Sequence, residues 1–99
     1  MVDLIRHVVI RGRVQGVGFR AFVEDEAIRR GLAGWVRNRR EGSVEAVFAG
    51  AADVVADMIQ TCRQGPPGAR VDAIDQRDGV AAELGTRGRG DQFTVLPTV

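Results

Sequence analysis

The stretch GRVQGVGFRAF (12–22) joins a strand-like segment to a helix-like one through a glycine-rich loop. Residues 4–13 are rich in β-branched side chains and predict a first strand. Apolar residues recur at three- and four-residue spacings over 19–30, which predicts a helix, and Gly31 is typical of a helix end. The stretch therefore predicts a strand–loop–helix unit at the start of the fold.

The middle of the chain predicts a hairpin followed by a second helix and a fourth strand. Two short apolar segments, 33–39 and 44–49, are joined by the polar REGS (40–43), which indicates a β-hairpin. A helix is expected over about 51–64 and a strand over 69–77. The order βαββαβ is that of the ferredoxin-like α/β sandwich, an α+β fold with two helices on one face of a mostly antiparallel sheet.

The C-terminal part of the chain carries weaker signals. Residues 79–91, GVAAELGTRGRGD, are expected to form a loop, and QFTVLP (92–97) is expected to add a short last strand. A chain of 99 residues is too small for two hydrophobic cores, so residues 1–99 are expected to form a single domain.

Composition and charge argue against several function classes. The chain has 14 basic and 13 acidic residues, so it lacks the bulk positive field of many nucleic-acid-binding proteins. No stretch approaches the roughly 18 apolar residues of a membrane-spanning helix, and the N-terminal region lacks the apolar core of a signal peptide. The lone Cys62 cannot form an internal disulfide, which favours a reducing compartment. We therefore expect a cytoplasmic protein without nucleic-acid or membrane partners.

The glycine-rich loop has three interpretations. GVGFRA (16–21) fits a dinucleotide-binding pattern, but that fold needs an acidic residue closing the second strand, where this chain has Asn38, Arg39 and Arg40. A loop that opens a helix also directs backbone N–H groups and the helix dipole towards a single phosphate, and Arg20 could add a bidentate contact. The third interpretation is a tight structural turn beside a solvated Arg20.

Asn38, near the end of the second predicted strand, is a further candidate functional residue. Alternation along the second strand places it on the same face as Gly34 and Val36, at the end of an otherwise small or apolar surface. An amide there can cap the following turn, or it can orient a water molecule, because it offers both a donor and an acceptor.

Two segments, GRVQGVGFR (12–20) and GWVRNRREGSVE (34–45), resemble the signature segments of the acylphosphatases, small enzymes that hydrolyse carboxyl-phosphate anhydrides. Their spacing and the helix between them are also similar to that family. The resemblance covers about residues 5–78 and departs at Arg39, where many relatives have threonine. The fold of that family is the ferredoxin-like sandwich that the order of elements predicts.

The resemblance implies a role for each candidate residue. The family's phosphate-binding arginine falls on Arg20, and its water-orienting asparagine falls on Asn38. The loop amides that bind phosphate in the family fall on Gln15, Gly16, Val17, Gly18 and Phe19.

The resemblance also implies a reaction, the hydrolysis of small acyl phosphates to carboxylate and inorganic phosphate by direct in-line attack of water. The leaving carboxylate is a weak base that needs no general acid, and phosphoryl transfer depends mostly on positioning and charge stabilisation. The sequence has no metal-ligand cluster, so no metal or other cofactor is expected. We expect a monomer whose partner is a small-molecule acyl phosphate.

Two alternatives stand beside this hypothesis. One is a non-catalytic ferredoxin-like module that binds a phosphorylated metabolite, and the other is an acylphosphatase-like part of a larger carbamoyl-transfer system. A module that only binds phosphate would have no use for the Asn38 amide, so replacing that residue discriminates binding from catalysis.

The remaining polar and aromatic residues have structural interpretations. His7 lies in mid-strand without a spaced partner, Cys62 lies on the apolar face of the second helix, and Trp35 alternates away from Asn38. We expect Cys62 and Trp35 to serve packing, and we expect His7 to have no catalytic role. The acidic run 24–26 is expected to form a solvated helix face. Arginines of the hairpin could steer an anion, although a solvated surface is the simpler interpretation; they are Arg37, Arg39 and Arg40.

Overall fold

The structure, a computed structural model, describes residues 3–86 and 92–99. Five strands and three helices lie in these two ranges. In chain order they are β1 (Asp3–Arg13), α1 (Phe19–Arg29), β2 (Ala33–Asn38), β3 (Val44–Ala51), α2 (Ala52–Gln64), β4 (Arg70–Asp78), α3 (Ala81–Gly85) and β5 (Thr94–Val95).

The strands form one sheet in the order β4-β1-β3-β2-β5. β1 pairs antiparallel with β3 and β4, and β2 pairs antiparallel with β3. β5 is the short last strand expected within 92–97, and it pairs parallel to β2, with Val95 opposite Val36. The predicted order of elements and the ferredoxin-like, mostly antiparallel architecture are confirmed.

The main core lies between one face of the sheet and the helices α1 and α2. Side chains alternate across a strand, so every second residue of β1, β2 and β3 projects into this core. The sheet contributes Val8, Ile10, Val36, Val44, Ala46 and Phe48, and the helices contribute Phe19, Val23, Ala27, Val55, Met58, Ile59 and Cys62. Burial raises the pKa of the Cys62 thiol to about 12, so this residue is the inert core residue that the sequence predicts.

The opposite face of the sheet, called the back face below, carries the third helix. Residues 79–91 were expected to form a loop, but the structure contains α3 within them, while residues 87–91 lie outside the described residues. The carboxylate of Glu83 caps this helix by accepting a hydrogen bond from the Val80 N–H at 3.1 Å. Trp35 Nε1 donates to the Glu83 carbonyl oxygen at 2.7 Å. The cap and this tertiary contact stabilise a helix too short to form by itself.

Glu83 also makes the contact that links α3 to β4. Arg77 donates to both of its carboxylate oxygens, at 2.9 and 2.6 Å. These hydrogen bonds outweigh the opposing effect of burial and hold the pKa of Glu83 at about 2. The contribution of the ionised carboxylate to stability is therefore complete above about pH 5, beyond the ordinary glutamate pKa, and is lost as the pH falls towards 2.

We expect Glu83→Gln to lower the free energy of unfolding by about 1 kcal/mol at pH 7, because the pair is partly exposed and screened. At pH 2.5, about half a pH unit above the folded-state pKa of Glu83, the difference from wild type should fall to about a quarter of its value at pH 7. Urea unfolding at the two pH values measures both quantities. Asp25→Asn, which removes an exposed pair with Arg29 on α1, is the control and should change stability by under about 0.5 kcal/mol. An equal loss for Glu83→Gln at both pH values would contradict this interpretation.

Candidate active site

The loop between β1 and α1 makes its turn through two glycines in the left-handed region. Gly16 has φ 74°, and Gly18, the N-cap of α1, has φ 79° and ψ 21°. A Cβ at either position would meet no atom within 4 Å, so backbone conformation rather than space favours glycine here. Within the described ranges, no protein acceptor takes the backbone N–H groups of residues 15–19. These donors lie at the positive end of the α1 dipole.

A cavity of about 410 Å³ opens beside this loop. Its walls come from the loop, the first turns of α1, the end of β2, and β5. The residues that line it are Val14, Gln15, Gly16, Gly18, Phe19, Arg20, Ala21, Glu24, Asn38 and Val95. The structure therefore brings together two candidates that lie on separate elements, Arg20 of α1 and Asn38 of β2.

Two of the predicted phosphate-binding residues, Phe19 and Val17, pack their side chains against the core. The Phe19 side chain forms part of the cavity wall, whereas that of Val17 does not. Phe19 is buried in the core and packs edge-on against Phe22, with ring centroids 5.9 Å apart. Val17 packs against the same core and does not line the cavity. Both side chains anchor the loop, so only their backbone N–H groups are available to a ligand.

Arg20, the second residue of α1, is half-buried and lines the cavity. Within the part of the chain that the structure describes, its guanidinium forms no ion pair. Glu24 lies one helical turn further on and also lines the cavity, although no ion pair joins the two side chains. Glu24 and Glu26 are both half-buried, and Glu26 pairs with Arg30, so the expectation of a solvated helix face over 24–26 is met only at Asp25.

Asn38, the last residue of β2, pairs with Val44 of β3 and directs its side chain to the cavity. The turn that follows is closed by backbone hydrogen bonds from Arg39 N–H to Ser43 O at 2.9 Å and from Gly42 N–H to Arg39 O at 3.0 Å. Among the described residues, the Asn38 carboxamide makes no hydrogen bond to this turn. The turn does not need the amide as a cap, which leaves its donor and acceptor facing the cavity.

Gln15 joins the loop to the hairpin. Its Nε2 donates to Arg39 O at 2.7 Å and to Ser43 O at 2.9 Å. The sequence predicted only a backbone contribution from this residue. Its side-chain role depends on the approach of the loop to a turn 24 residues away, which no local pattern encodes.

The back face carries a separate polar cluster. Glu45, a residue that the sequence analysis did not single out, is buried and contacts His7, Arg37 and Arg39. The expectation that the hairpin arginines are solvated is wrong for Arg37, whose guanidinium lies 4.6 Å from the centre of the Trp35 ring. His7 has a partner in Glu45, but it does not line the cavity. Trp35 is buried, as predicted for a packing residue.

Metal and membrane sites were also searched in the two described ranges. No group of three or more His, Cys, Asp or Glu side chains in 3–86 and 92–99 could hold a metal ion. Each described helix is too short and too polar to cross a membrane.

Comparison with known proteins identifies the family. The family model described as "Acylphosphatase" matches residues 6–92. This chain belongs to the acylphosphatase family. It is 60% identical to an acylphosphatase from Bradyrhizobium diazoefficiens and 62% identical to one from Nitrobacter hamburgensis, over 100% of this chain and of each relative.

A solved acylphosphatase supports the same assignment at the level of the fold. The structure is similar to the crystal structure of acylphosphatase from Bacillus subtilis, with a TM-score of 0.83 and 33% identity. The match covers 94% of this chain and 98% of that chain. Together with the family model and the full-length relatives, this structure confirms the predicted acylphosphatase activity.

Two glycines that bound α1 provide a matched test of the loop. Gly18 and Gly31 both have φ between 70° and 79°, and a Cβ at either would meet nothing within 4 Å. Substitution of either by alanine should lower stability by about 1 kcal/mol, because a side chain is strained in this conformation. Only Gly18→Ala should weaken competitive inhibition by inorganic phosphate, by about tenfold. Equal inhibition constants for the two variants would contradict a binding role for this loop.

Proposed function

We propose that this acylphosphatase binds the phosphoryl group of a small acyl phosphate with the backbone N–H groups of residues 15–19 and with Arg20. Asn38 orients the water molecule that attacks phosphorus. One observation supports this assignment above the others: Arg20 and Asn38 line the same cavity, at the N-terminus of α1, although they come from different elements.

The proposed phosphate site combines three sources of positive potential. Gly16 and Gly18 hold positive φ angles, which supports a concave arrangement of the loop N–H groups, and such an arrangement suits an anion. The α1 dipole adds the equivalent of about half a positive charge at the same end. The guanidinium of Arg20 supplies two parallel donors to the phosphoryl oxygens. Together these groups neutralise charge on the oxygens as the transition state forms.

The proposed reaction is a direct in-line displacement. The water oxygen forms a bond to phosphorus, the bond from phosphorus to the carboxylate oxygen breaks, and the carboxylate leaves with the electron pair. A carboxylate is stable near neutral pH, so it leaves without a proton, and the proton of the attacking water passes to the phosphate product or to solvent. The transition state is loose, so positioning and charge stabilisation carry most of the catalysis. The scheme requires neither a metal nor another cofactor.

We further propose that the protein is a single domain that acts as a cytoplasmic monomer, with no nucleic-acid or membrane partner. One contiguous core joins the sheet to both long helices, which supports a single domain over 1–99. The large apolar side chains exposed in the described ranges, Ile28, Val80 and Val99, come from three separate segments, which supports a monomer. A buried, unpaired Cys62 agrees with a reducing compartment, and a net charge of +1 gives no field for nucleic acid.

Hydrolysis of acetyl phosphate by Arg20→Lys and Asn38→Ala, with chelator present, separates the two proposed roles. Arg20→Lys keeps the charge but loses the planar fork, so both phosphate affinity and turnover should fall, the latter by about 10³-fold. Asn38→Ala should retain the wild-type inhibition constant for inorganic phosphate, because the amide touches water rather than phosphate. Its kcat should fall by about 100-fold, the cost of a misplaced reactant.

Glu24→Gln is the control for this experiment, since Glu24 is the carboxylate that lines the cavity. It should keep kcat within about threefold of wild type, because a loose transition state needs no strong general base. A loss in Glu24→Gln as large as that in Asn38→Ala would assign water activation to the carboxylate instead. Wild-type turnover by Asn38→Ala would overturn the role proposed for the amide.

A further inference from the structure

The back face of the sheet holds a buried carboxylate that the proposed reaction does not use. Glu45 of β3 lies with Oε2 2.7 Å from His7 Nε2 and with Oε1 2.7 Å from Arg37 Nε. Arg39 Nη1 lies 3.2 Å from the same Oε1. Only 7% of the Glu45 side chain is exposed. One carboxylate therefore binds three side chains from two neighbouring strands and the hairpin turn.

The charge state of Glu45 is set by these partners. Burial by itself would raise the pKa of Glu45, but the hydrogen bonds from His7 and Arg37 and the charges of Arg37 and Arg39 outweigh that effect. The pKa is lowered, so the carboxylate is ionised near neutral pH. A buried ion cluster adds little net stability compared with apolar packing, and its partners are strongly constrained because each loses hydrogen bonds if it moves.

Two of these partners flank the residue proposed to orient water. Arg37 is the cross-strand neighbour of Glu45, and Asn38 pairs with Val44. Because successive side chains of a strand project to opposite faces, Arg37 points to the back face while Asn38 points to the cavity. Arg39 turns its side chain to the back face again. The residues before and after Asn38 are thus held by a single carboxylate on the other side of the sheet.

Further contacts restrict the same backbone. The Arg37 guanidinium stacks over the Trp35 ring, and Gln15 Nε2 holds the Arg39 carbonyl oxygen. With Glu45, these contacts fix both side chains next to Asn38 and the peptide between Arg39 and Arg40. The peptide between Asn38 and Arg39 is held by backbone hydrogen bonds from Val99 N–H to Asn38 O and from Arg39 N–H to Ser43 O. Because the backbone on both sides of Asn38 is held, its carboxamide keeps pointing into the cavity.

We propose that Glu45 is a positioning residue: by holding Arg37 and Arg39, it keeps the Asn38 carboxamide aimed into the cavity. This inference rests on the function proposed for Asn38. Under this proposal, binding and water positioning depend on different residues. The loop and Arg20 bind phosphate, while Glu45, Arg37 and Arg39 hold the amide that orients the attacking water. Loss of Glu45 should therefore lower turnover without weakening phosphate binding.

Glu45→Gln tests this with little change of shape. We expect kcat for acetyl phosphate to fall by about tenfold or more, since small displacements of a reactant cost this much. The inhibition constant of inorganic phosphate should stay within twofold of wild type. Glu83→Gln is the matched control, because Glu83 also contacts the back face and binds an arginine but does not touch a neighbour of Asn38. Its kcat should stay within twofold of wild type. An unchanged kcat in folded Glu45→Gln, or equal losses in both variants, would overturn the inference.

A double-mutant cycle with Asn38→Ala shows whether Glu45 acts through Asn38. If it does, adding Glu45→Gln to Asn38→Ala should lower the residual kcat by less than twofold, whereas independent roles would give multiplied losses and contradict the inference. If the single variant Asn38→Ala keeps the wild-type kcat, the proposed role of Asn38 is wrong, and the inference about Glu45 is wrong with it. If Asn38→Ala loses kcat while Glu45→Gln keeps it, the role of Asn38 stands and only the inference about Glu45 is wrong.

Arg39→Gln covers the case in which Glu45→Gln does not fold. The Arg39 side chain is 41% exposed, so its replacement is tolerated more readily than that of the buried carboxylate. We expect kcat to fall about threefold to tenfold with an unchanged inhibition constant for phosphate. Wild-type kcat in this variant, beside an unfolded Glu45→Gln, would reduce the role of Glu45 to stability and overturn the inference.

Discussion

The positive φ angles of Gly16 and Gly18 are the constraint on which the site depends. They let the chain pass from β1 into α1 while the N–H groups of residues 15–19 stay free of protein acceptors in the described structure. A side chain at either position would resist this conformation. In the proposed site these N–H groups and the helix dipole act together on the anion.

The two faces of the sheet contribute different residues to the surroundings of this loop. The helix-covered face contributes Asn38 and the wall of the cavity, while the back face holds the buried Glu45. Gln15 joins the loop to the hairpin turn, because its Nε2 donates to Arg39 O and to Ser43 O. This division fits a reaction whose catalysis depends on placement and charge more than on proton transfer. Small shifts of the hairpin then matter more to turnover than to binding.

Much of this arrangement is predictable from the sequence because it rests on local patterns. Apolar periodicity marks the strands and long helices, and the order βαββαβ brings the start of α1 close to the end of β2. The pairing of Arg20 with Asn38, by contrast, is what the resemblance of segments 12–20 and 34–45 to the acylphosphatases implies. The Glu45 cluster could not be predicted, because its contact with His7 spans 38 residues and depends on side-chain placement across strands. α3 was missed for a similar reason, since its cap and its contact with Trp35 are not periodic signals.

Titration of ¹⁵N-labelled protein with inorganic phosphate, followed by NMR, tests the central claim most directly, because it observes each backbone N–H separately. The expected result is a saturable shift of the amide resonances of residues 15–20 with a single dissociation constant, together with the Arg20 side-chain N–H. Amides next to the back-face arginines Arg37 and Arg39 should move little. If the saturable shifts were confined to amides next to Arg37 and Arg39, with the loop resonances unchanged, the anion site would lie on the back face of the sheet. That result would contradict the proposed mechanism.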